Sequence, residues 1–385
     1  MSLFPTYNRF PLTIVSGEGT NVTDDKGNTY LDFVSGIAVC NLGHRPPEVQ
    51  SALEKQLGEL WHVSNLYQLP KQEQAANLLT EATNLDYVFF CNSGAEANEA
   101  AIKLARKHTQ RETIVTFKQS FHGRTFATMS ATGQEKIQQG FGALLPTFEY
   151  LPFNDEKAVN ELEGDDIAAI MVEVVQGEGG VVPGTKAFLE AVQQKCEELG
   201  ALLIIDEVQT GIGRTGAPFA HQLYNLDPDI VTSAKGLGSG FPVGAMLGKE
   251  KLVDAFSAGS HGTTFGGNPL ASTAVCATLE TIFDESFLED VQSKGEWLRS
   301  QLEEDLLPLS LVKEVRGKGL MIGIQLEEEA LPLVHKLREN GLLAVVAGPK
   351  VLRLLPPLNV TKDEMTKAVS IMKQVLQEHS SLQNV

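Results

Sequence analysis

The chain has 385 residues, of which 42% are hydrophobic and 21% charged, which excludes a small disulfide-stapled module and allows about two or three domains with a large buried core. Its 31 basic and 49 acidic residues give a formal net charge of −18, which disfavours binding to nucleic acid or to an anionic membrane surface. No apolar run reaches the roughly 18 to 20 residues of a membrane span, and Met1–Phe10 lacks a secretory pattern, so we expect a cytoplasmic protein.

The predicted elements begin with an N-terminal arm over residues 1–60, which contains strand-like runs near Thr20–Thr23 and Thr29–Phe33. Short apolar runs then alternate with helical patterns, which is typical of βαβ units in a mostly parallel sheet covered on both faces. The predicted strands are Tyr87–Phe90, Thr113–Phe117, Ile167–Val172, Ala201–Ile205, Ile230–Thr232 and Val243–Leu247. The predicted helices among them are Ala95–Lys107 and Thr185–Leu199.

The pattern changes after Leu270 to long amphipathic helices around short apolar runs, which predicts a smaller α+β domain. The predicted helices are Phe287–Leu306, Ala330–Asn340 and Lys362–Glu378, and the apolar runs are Val312–Val315, Leu320–Leu326, Leu342–Val346 and Val351–Leu355. We therefore predict an α/β protein with an arm over 1–60, a large domain over 61–269 and a C-terminal domain over 270–385.

Two polar residues follow predicted strands that are neighbours along the chain. Asp206 comes directly after Ala201–Ile205, and the carboxyl end of a parallel strand is where open α/β sheets bind ligands. Lys235 follows Ile230–Thr232 among small residues and glycines. Pyridoxal phosphate requires such a pair, because it needs a lysine amine for a Schiff base and an acid that keeps its pyridine nitrogen protonated. Taken alone, Asp206 is equally consistent with a turn or helix-cap residue.

A third segment, Asn92–Asn98, joins a predicted strand to a predicted helix and offers a phosphate site. Free backbone N–H groups and the helix dipole at such a junction favour a dianion. Gly94 would allow the phosphate to approach the backbone closely. An ordinary helix N-cap is the alternative explanation for Ser93.

Six short motifs occur in the same order in one enzyme family and extend over most of the chain. They are Asn92–Ala97, Phe121–Thr125, Gly177–Gly180, Asp206–Gln209, Ala234–Leu237 and Thr264–Pro269. On these motifs the chain resembles the class III (ω-amino-acid) pyridoxal-phosphate aminotransferases. The resemblance implies fold type I, with a large, mostly parallel-sheet cofactor domain and a smaller α+β C-terminal domain, and it implies pyridoxal 5'-phosphate as the cofactor.

The resemblance also implies roles for residues of these motifs. Lys235 is expected to hold the cofactor covalently and to shuttle the proton, Asp206 to pair with the pyridinium nitrogen, and Gln209 to bond the phenolic oxygen. The remaining expected contacts are ring stacking by Phe121 and phosphate binding by Ser93, Gly94, Ala95 and Thr264 of the partner subunit. The contact from the partner subunit implies a homodimer with composite active sites. Without the resemblance, core packing would explain Phe121 and a capping hydroxyl would explain Thr264.

Charge complementarity indicates how two substrates could share the site. By resemblance, Arg353 binds the carboxylate beside the reacting carbon of glutamate and Arg124 binds the distal carboxylate. When the amine donor lacks the first carboxylate, Glu178 is expected to neutralise Arg353, because a lone buried guanidinium is costly. Tyr7 is a further candidate for a carboxylate contact. A solvated loop and a surface strand edge are the plainer explanations of Glu178 and Arg353.

The expected reaction transfers the 5-amino group of N-acetylornithine to 2-oxoglutarate in arginine biosynthesis, and gives N-acetylglutamate 5-semialdehyde and glutamate by a ping-pong mechanism. Two segments, Ser64–Tyr67 and His261–Ala271, favour this donor within the family. Succinylornithine, ornithine, succinyl-diaminopimelate and 4-aminobutyrate stay open as donors. They differ at the far end of the pocket, whose walls are expected to include Ile37, Val39 and Asn65.

Other classes of protein fit the sequence less well. Gly211–Gly216 matches the dinucleotide-binding pattern G-x-G-x-x-G, but Pro218 blocks an immediate helix and no second strand ending in an acid follows. Gly179–Lys186 ends in Gly-Thr-Lys, so it is not a P-loop. The presence of Lys235, Asp206 and Arg353 argues against a non-catalytic protein of the same fold. The four cysteines and eight histidines show no metal-ligand spacing, so we expect reduced thiols and no metal.

Overall fold

The computed structural model describes residues 2–383. Its N-terminal elements are strands β1 Ile14–Glu18, β2 Asn21–Asp24 and β3 Thr29–Asp32, and helices α1 Ser35–Ala38, α2 Pro47–Leu57 and α3 Pro70–Thr83. Both α2 and α3 begin with proline, which suits the first helical position because that N–H has no partner there. The predicted arm over residues 1–60 therefore contains a full helix, α2, that the sequence pattern did not reveal.

Helix α1 is a left-handed turn, since all four of its residues have φ between +49° and +68°. Such a conformation costs roughly 1–2 kcal/mol for each residue with a side chain. Asp32 holds the turn: its Oδ1 accepts hydrogen bonds from the two backbone N–H groups at the start of the turn, at 2.9 and 3.0 Å. The ring of His44 bonds the other oxygen of Asp32 at 2.8 Å. The turn leads directly into Val39, which lines the candidate site described below.

The central region alternates strands and helices. Its elements are β4 Tyr87–Cys91, α4 Gly94–Thr109, β5 Thr113–Phe117, α5 Phe126–Ala131, α6 Glu135–Gln138, β6 Phe148–Leu151, α7 Glu156–Asn160, β7 Ile167–Val172, β8 Val175–Gln176, β9 Val182–Pro183, α8 Lys186–Leu199, β10 Leu202–Asp206, β11 Ile230–Ser233, β12 Gly244–Gly248 and α9 Pro269–Ile282. Short 3-10 helices cover Ala220–Tyr224, Lys235–Gly238 and Glu250–Phe256. The strands and helices predicted for this region agree with the structure to within two residues at each end.

The C-terminal region packs three helices against short strands. Its elements are α10 Glu285–Leu306, β13 Val312–Lys318, β14 Met321–Leu326, α11 Leu331–Glu339, β15 Leu342–Leu343, β16 Val345–Val346, β17 Val351–Leu354 and α12 Lys362–Gln383. The single predicted run Leu342–Val346 was wrong as one strand, because the chain changes sheets at Ala344. No helix within residues 2–383 combines the length and the apolar character needed to cross a membrane.

The largest sheet in the described part of the chain has seven strands in the order β4-β12-β11-β10-β7-β5-β6. Strand β12 is antiparallel to both of its neighbours, whereas β11, β10, β7, β5 and β6 run parallel. The predicted α/β fold with a mostly parallel sheet is confirmed. Asp206 ends β10 and pairs in register with Thr232 of β11, so both strands deliver their carboxyl ends to one edge of the sheet.

Side chains of β10 alternate between the two faces of the large sheet and divide the core. Leu202 and Ile204 pack with Ala101 and Ile102 of α4 in one buried cluster, while Leu203 and Ile205 belong to the larger cluster on the other face, which includes α8. Burial of both faces explains why the strand is apolar throughout. The helices therefore cover the sheet on both sides and leave its carboxyl edge free for a site.

Two smaller sheets connect distant parts of the chain. One has the order β1-β2-β3-β15, in which Leu31 of β3 pairs in parallel with Leu342 of β15. The other has the order β13-β14-β17-β16 and places Arg353 of β17 opposite Gly323 of β14. The N-terminal segment is thus part of the same sheet as a strand from the C-terminal region.

Candidate active site

A cavity of about 450 Å³ lies at the carboxyl edge of the seven-stranded sheet, between the ends of β10 and β11 and the beginning of α4. Most of the residues that the sequence singled out line it, namely Ser93, Gly94, Ala95, Phe121, Arg124, Glu178, Asp206, Gln209 and Lys235. The large sheet brings them together, because their positions in the sequence extend over 140 residues. A second cavity, of about 1220 Å³, adjoins the first and shares Phe121, Arg124 and Glu178 with it.

Asp206 is buried and its carboxylate is fixed by three donors. Oδ2 accepts hydrogen bonds from Asn98 Nδ2 and from the ring of His122, both at 2.8 Å, and Oδ1 accepts the backbone N–H of Val208 at 3.0 Å. Asn98 also donates to the carbonyl oxygen of His122, at 2.8 Å. The contacts hold the carboxylate in one orientation at the cavity wall, where it can pair with a protonated ring nitrogen.

His122 is fully buried and its role was not predicted. Burial opposes its protonation, but the hydrogen bond to Asp206 and the charge of that carboxylate raise the pKa of His122 above its ordinary value. Its Nε2 atom is buried and has no hydrogen-bond partner within residues 2–383. The motif containing Phe121 pointed to this segment, but the adjacent histidine had no metal-ligand spacing to mark it.

Lys235 begins the 3-10 helix that follows β11 and has φ of +46°, a conformation that non-glycine residues adopt at a cost. Burial lowers the pKa of the Lys235 amine below its ordinary value, and the negative charge of Glu178 partly opposes this effect. Its Nζ makes no hydrogen bond to any residue in the described part of the chain. An amine whose pKa is lowered in this way is better suited than an ordinary lysine to act as a nucleophile and as a proton carrier.

The beginning of α4, which was predicted as a phosphate cradle, borders the cavity. The hydroxyl of Ser93 accepts the N–H of Glu96 at 3.2 Å, so Ser93 is an N-cap, in agreement with the alternative explanation. Gly94 and Ala95 line the cavity, and their backbone N–H groups precede the first intrahelical donors. A Cβ at Gly94 would lie 2.7 Å from a methyl carbon of Val208, so packing against Val208 also requires glycine here.

Arg353 and Glu178 form a bidentate ion pair at the edge of the cavity. Arg353 Nη1 donates to Glu178 Oε1 at 2.6 Å, and Nη2 donates to Oε2 at 3.2 Å. Nη1 also donates to Gln209 Oε1 at 3.1 Å. The Arg353 side chain is 2% exposed and that of Glu178 is 29% exposed. Burial opposes the charge of Glu178, but the guanidinium lowers the pKa of its carboxyl below the ordinary value.

Phe121 and Arg124 lie on the loop between β5 and α5. The guanidinium of Arg124 lies over the ring of Phe121, with its central carbon 5.9 Å from the ring centre. Arg124 is exposed and borders both cavities. It can therefore meet an anionic group that enters from the larger cavity.

Glu173 is a buried acid in the cavity wall that was not predicted as a site residue. One of its oxygens accepts the N–H of Phe121 at 3.1 Å and the other accepts the N–H of Gly177 at 3.3 Å. Burial raises the pKa of Glu173 to about 7. Its carboxyl connects the loop of Phe121 with the loop that carries Glu178.

Three predicted site residues do not line the cavity. Arg353 is one of them, but it bonds Glu178 and Gln209, which do line it. Tyr7 is 77% exposed, and Thr264 is exposed on the loop before α9. Of the residues considered for the far pocket wall, Val39 lines the cavity, whereas Ile37 and Asn65 do not.

The donors and acceptors of the cavity suit pyridoxal phosphate. The amine of Lys235 makes no hydrogen bond within residues 2–383, Asp206 lines the cavity, and the N–H groups at the beginning of α4 suit a dianion. The side chain of Phe121 lines the same cavity. The amine, the acid, the N–H groups and the aromatic ring therefore complement the aldehyde, the ring nitrogen, the phosphate and the ring face of this cofactor.

Comparisons with known proteins agree with this geometry. A family model described as Aminotransferase class-III matches residues 4–376. The acetylornithine aminotransferase of Halalkalibacterium halodurans is 60% identical over 378 residues, which cover 98% of this chain and 98% of that protein. The acetylornithine aminotransferase of Bacillus subtilis is 57% identical over 382 residues and covers 99% of both chains.

Solved structures give the same fold. The ornithine aminotransferase from Toxoplasma gondii ME49 superposes with a TM-score of 0.95 at 31% identity, over 99% of this chain and 93% of that chain. The N-acetylornithine aminotransferase from Stenotrophomonas maltophilia K279a superposes with a TM-score of 0.86 at 35% identity, over 98% of both chains.

Proposed function

The chain belongs to the class-III aminotransferases, and from this premise we propose that it transfers the 5-amino group of N-acetylornithine to 2-oxoglutarate. The products are N-acetylglutamate 5-semialdehyde and glutamate, and the reaction belongs to arginine biosynthesis. The high identity to acetylornithine aminotransferases over nearly the whole chain supports this choice of amine donor. The bidentate pair of Arg353 and Glu178 in the cavity is the structural observation that carries the proposal.

The residues that would hold pyridoxal phosphate follow from the geometry. Asp206 would bind the ring nitrogen, the N–H groups at the beginning of α4 would bind the phosphate, and Phe121 would cover one face of the ring. When bound, the cofactor supplies an electron-withdrawing ring that stabilises negative charge on the carbon from which a proton is removed. Asn98 and His122 would keep Asp206 oriented and ionised, because both donate to its carboxylate.

Lys235 would carry the proton at its Nζ atom. Because burial lowers the pKa of this amine, a larger fraction is neutral near pH 7 than in a free lysine, and a neutral amine can accept a proton. Lys235 lines the same cavity as Asp206 and Glu178.

The two arginines explain how one site could serve two substrates. Glutamate and 2-oxoglutarate carry a carboxylate beside the reacting carbon, and it would bind Arg353 after Glu178 moves away. N-acetylornithine has no carboxylate at its reacting carbon, so Glu178 would stay paired with Arg353. Arg124, exposed at the junction of the two cavities, would bind the distal carboxylate of either substrate.

A homodimer is part of the proposal. Four large apolar side chains near the loop of Thr264 are more than half exposed, and we call this set, Trp61, Leu66, Tyr67 and Phe265, the apolar rim. Asn65 joins the two segments that carry the rim, since its Nδ2 donates to the carbonyl oxygen of Gly266 at 3.1 Å. A second copy that covered the apolar rim would bring Thr264 of the partner subunit towards the phosphate cradle.

A substrate panel tests the proposal. We expect kcat/KM with 2-oxoglutarate to be highest for N-acetylornithine among N-acetylornithine, N-succinylornithine, ornithine, succinyl-diaminopimelate and 4-aminobutyrate. Lys235→Ala is the control and should abolish turnover with every donor. A higher kcat/KM for ornithine would reassign the donor, and full turnover by Lys235→Ala would refute the mechanism.

A further inference from the structure

Arg214 is a fully buried arginine to which the proposed function assigns no role. It belongs to the glycine-rich segment Gly211–Gly216, which follows β10 and whose sequence context does not fit a dinucleotide site. No carboxylate within residues 2–383 forms an ion pair with its guanidinium. Burial lowers the pKa of Arg214 to about 9, so the group remains charged near neutral pH. Burying a charge that has no charged partner costs free energy. This cost indicates that the hydrogen bonds of the guanidinium serve a purpose.

The guanidinium donates to three parts of the chain. Nη1 donates to the carbonyl oxygen of Leu320 at 3.0 Å and to that of Pro356 at 2.5 Å, and Nη2 donates to Asn41 Oδ1 at 2.7 Å. Leu320 also returns a bond, since its N–H donates to the Arg214 carbonyl oxygen at 3.0 Å. The N-terminal segment, the large sheet's loop and the C-terminal sheet therefore meet at one side chain.

The hydrogen bond from Arg214 to Asn41 connects Arg214 to the backbone next to Lys235. Asn41 is 1% exposed, and its Nδ2 donates to the carbonyl oxygen of Ile212 at 2.7 Å. The side chain packs so tightly on Gly236 that a Cβ at that glycine would lie 2.2 Å from Asn41 Nδ2. Gly236 follows Lys235 directly in the 3-10 helix. The position of Asn41 therefore constrains the backbone that carries the Lys235 amine.

The hydrogen bond from Arg214 to the carbonyl oxygen of Pro356 connects Arg214 to the strand that carries Arg353. Pro356 comes three residues after Arg353 and two residues after the end of β17. Leu320 directly precedes β14, the strand that pairs with β17 and places Gly323 opposite Arg353. The two carbonyl acceptors of Arg214 thus lie close to the end of β17, which carries Arg353, and to the beginning of β14, the strand beside it.

We propose that Arg214 is a positioning residue that holds the backbone of Lys235 and the backbone of Arg353 in fixed relation across the junction of three chain segments. The inference rests on the proposed function for the role of Arg353 in binding carboxylates and for the role of Lys235 in holding the cofactor. A planar guanidinium suits this task better than an ammonium group, because its donors point in fixed, coplanar directions. Asn41 links Arg214 to the backbone beside Lys235, and Pro356 links Arg214 to the backbone beside Arg353.

The first test compares Arg214→Lys with Arg111→Lys in the cofactor-loaded enzyme. Arg111 is the matched control, because its Nη1 also donates to three carbonyl oxygens, at 3.1, 2.8 and 3.1 Å, yet they lie at the opposite edge of the sheet. Loss of one buried bond to a charged group predicts a roughly tenfold or larger rise in the cofactor dissociation constant of Arg214→Lys. We expect KM for 2-oxoglutarate, which uses Arg353, to rise more than KM for the amine donor.

The control variant Arg111→Lys should lower the unfolding temperature without changing the cofactor dissociation constant or the ratio of the two KM values. If Arg214→Lys behaves in the same way, Arg214 is only structural and the proposal is overturned. The dissociation constant is measured without substrate, so it tests the Lys235 side of the proposal even if the enzyme accepts another amine donor.

A second test covers the case in which Arg214 variants do not fold. Gly236→Ala would force Asn41 away from its place, and Asn41→Ala removes the same contact from the other side. Each variant should weaken cofactor binding, and the double variant should lose less than the product of the two single effects, because both break one connection. Unchanged cofactor affinity in both single variants would overturn the proposal.

Discussion

Glu178 is paired with a nearly buried arginine but is itself partly exposed, and this difference suits a side chain that moves. The guanidinium of Arg353 stays bonded to Gln209 when Glu178 leaves, so part of its hydrogen bonding survives. A departing Glu178 would enter the larger cavity, which it also lines. The charge of Glu178, rather than its size, is therefore the property that should distinguish the two half-reactions.

We expect Glu178→Gln to affect the two half-reactions differently. The variant keeps the size of the side chain and leaves Arg353 without a negative partner, so glutamate and 2-oxoglutarate should react as before or faster. The kcat/KM for N-acetylornithine should fall by about five- to 150-fold, since the loss of such a charge pair is worth roughly 1–3 kcal/mol. Ornithine should react more often through its α-amine. Single-turnover spectra of each half-reaction measure these changes.

A surface ion pair provides the control for this variant. Glu190 forms an ion pair with Lys186 at 3.5 Å, and the two side chains are 54% and 66% exposed. Glu190→Gln should leave both half-reactions unchanged, because exposed pairs contribute little. An equal loss in both half-reactions of Glu178→Gln would assign Glu178 a general structural or catalytic role.

At the scale of elements, the beginning of α4 combines a helix cap, a packing contact and the proposed phosphate cradle. Gly94→Ala should therefore be tolerated poorly, because the new Cβ would lie 2.7 Å from Val208, whose N–H bonds Asp206. Overpacking of this kind costs roughly 1–3 kcal/mol. We expect a lower unfolding temperature and weaker cofactor binding, measured by thermal denaturation and by titration with pyridoxal phosphate.

Gly58→Ala is the matched control for this prediction. A Cβ at Gly58, which caps α2 with φ of −80°, would have its nearest neighbour at 3.4 Å. The control should change the unfolding temperature little and cofactor binding not at all. If Gly94→Ala bound the cofactor as tightly as the unchanged protein, the contact with Val208 would not constrain the site.

Elements with periodic or uniformly apolar sequences were predictable. Strand β10 is apolar along its whole length because both faces are buried, and this pattern located Asp206 correctly. Helix α9 was missed because nearly all of its residues are buried and the helix packs on α2, α3 and the 3-10 helix Lys235–Gly238, so it lacks a polar face and a helical period. Helix α2 was missed because its apolar residues are few, and only Val49 and Gln56 are buried.

The candidate site was predictable where short motifs carry its chemistry, and less so where the fold brings single residues together. Asn98 and His122 bond the same oxygen of Asp206 from 108 and 84 residues away. Glu173 looked like an ordinary residue after a strand, because nothing in the sequence shows that the N–H groups of Phe121 and Gly177 converge on it. These partnerships depend on the order of the strands in the sheet.

For the whole molecule, the exposed apolar rim predicts that the protein is a dimer at micromolar concentration. Thr264→Ala should then weaken cofactor binding, because the hydroxyl would bind the phosphate in the partner subunit's site. Sedimentation velocity measures the assembly, and titration with pyridoxal phosphate measures the affinity. The formal charge of −18 on each chain would make dimer formation weaker at low salt.

Thr366→Ala is the control for the dimer prediction, since Thr366 lies exposed on α12 and its hydroxyl bonds only the carbonyl oxygen of Lys362, at 2.8 Å. It should change neither assembly nor affinity. A monomer that binds the cofactor fully at micromolar concentration would refute the composite site. Equal cofactor affinities of Thr264→Ala and Thr366→Ala would remove Thr264 from the phosphate site.

The parallel pairing of β3 with β15 has a consequence for synthesis on the ribosome. Leu31 leaves the ribosome long before Leu342, its partner in the sheet. At about 5–20 residues per second, the delay is roughly 15–60 s. During this time the edge of β3 that β15 later covers is unpaired, and such an edge can pair with other chains. We therefore expect the nascent N-terminal segment to need protection, for example by a chaperone, until β15 has been synthesised.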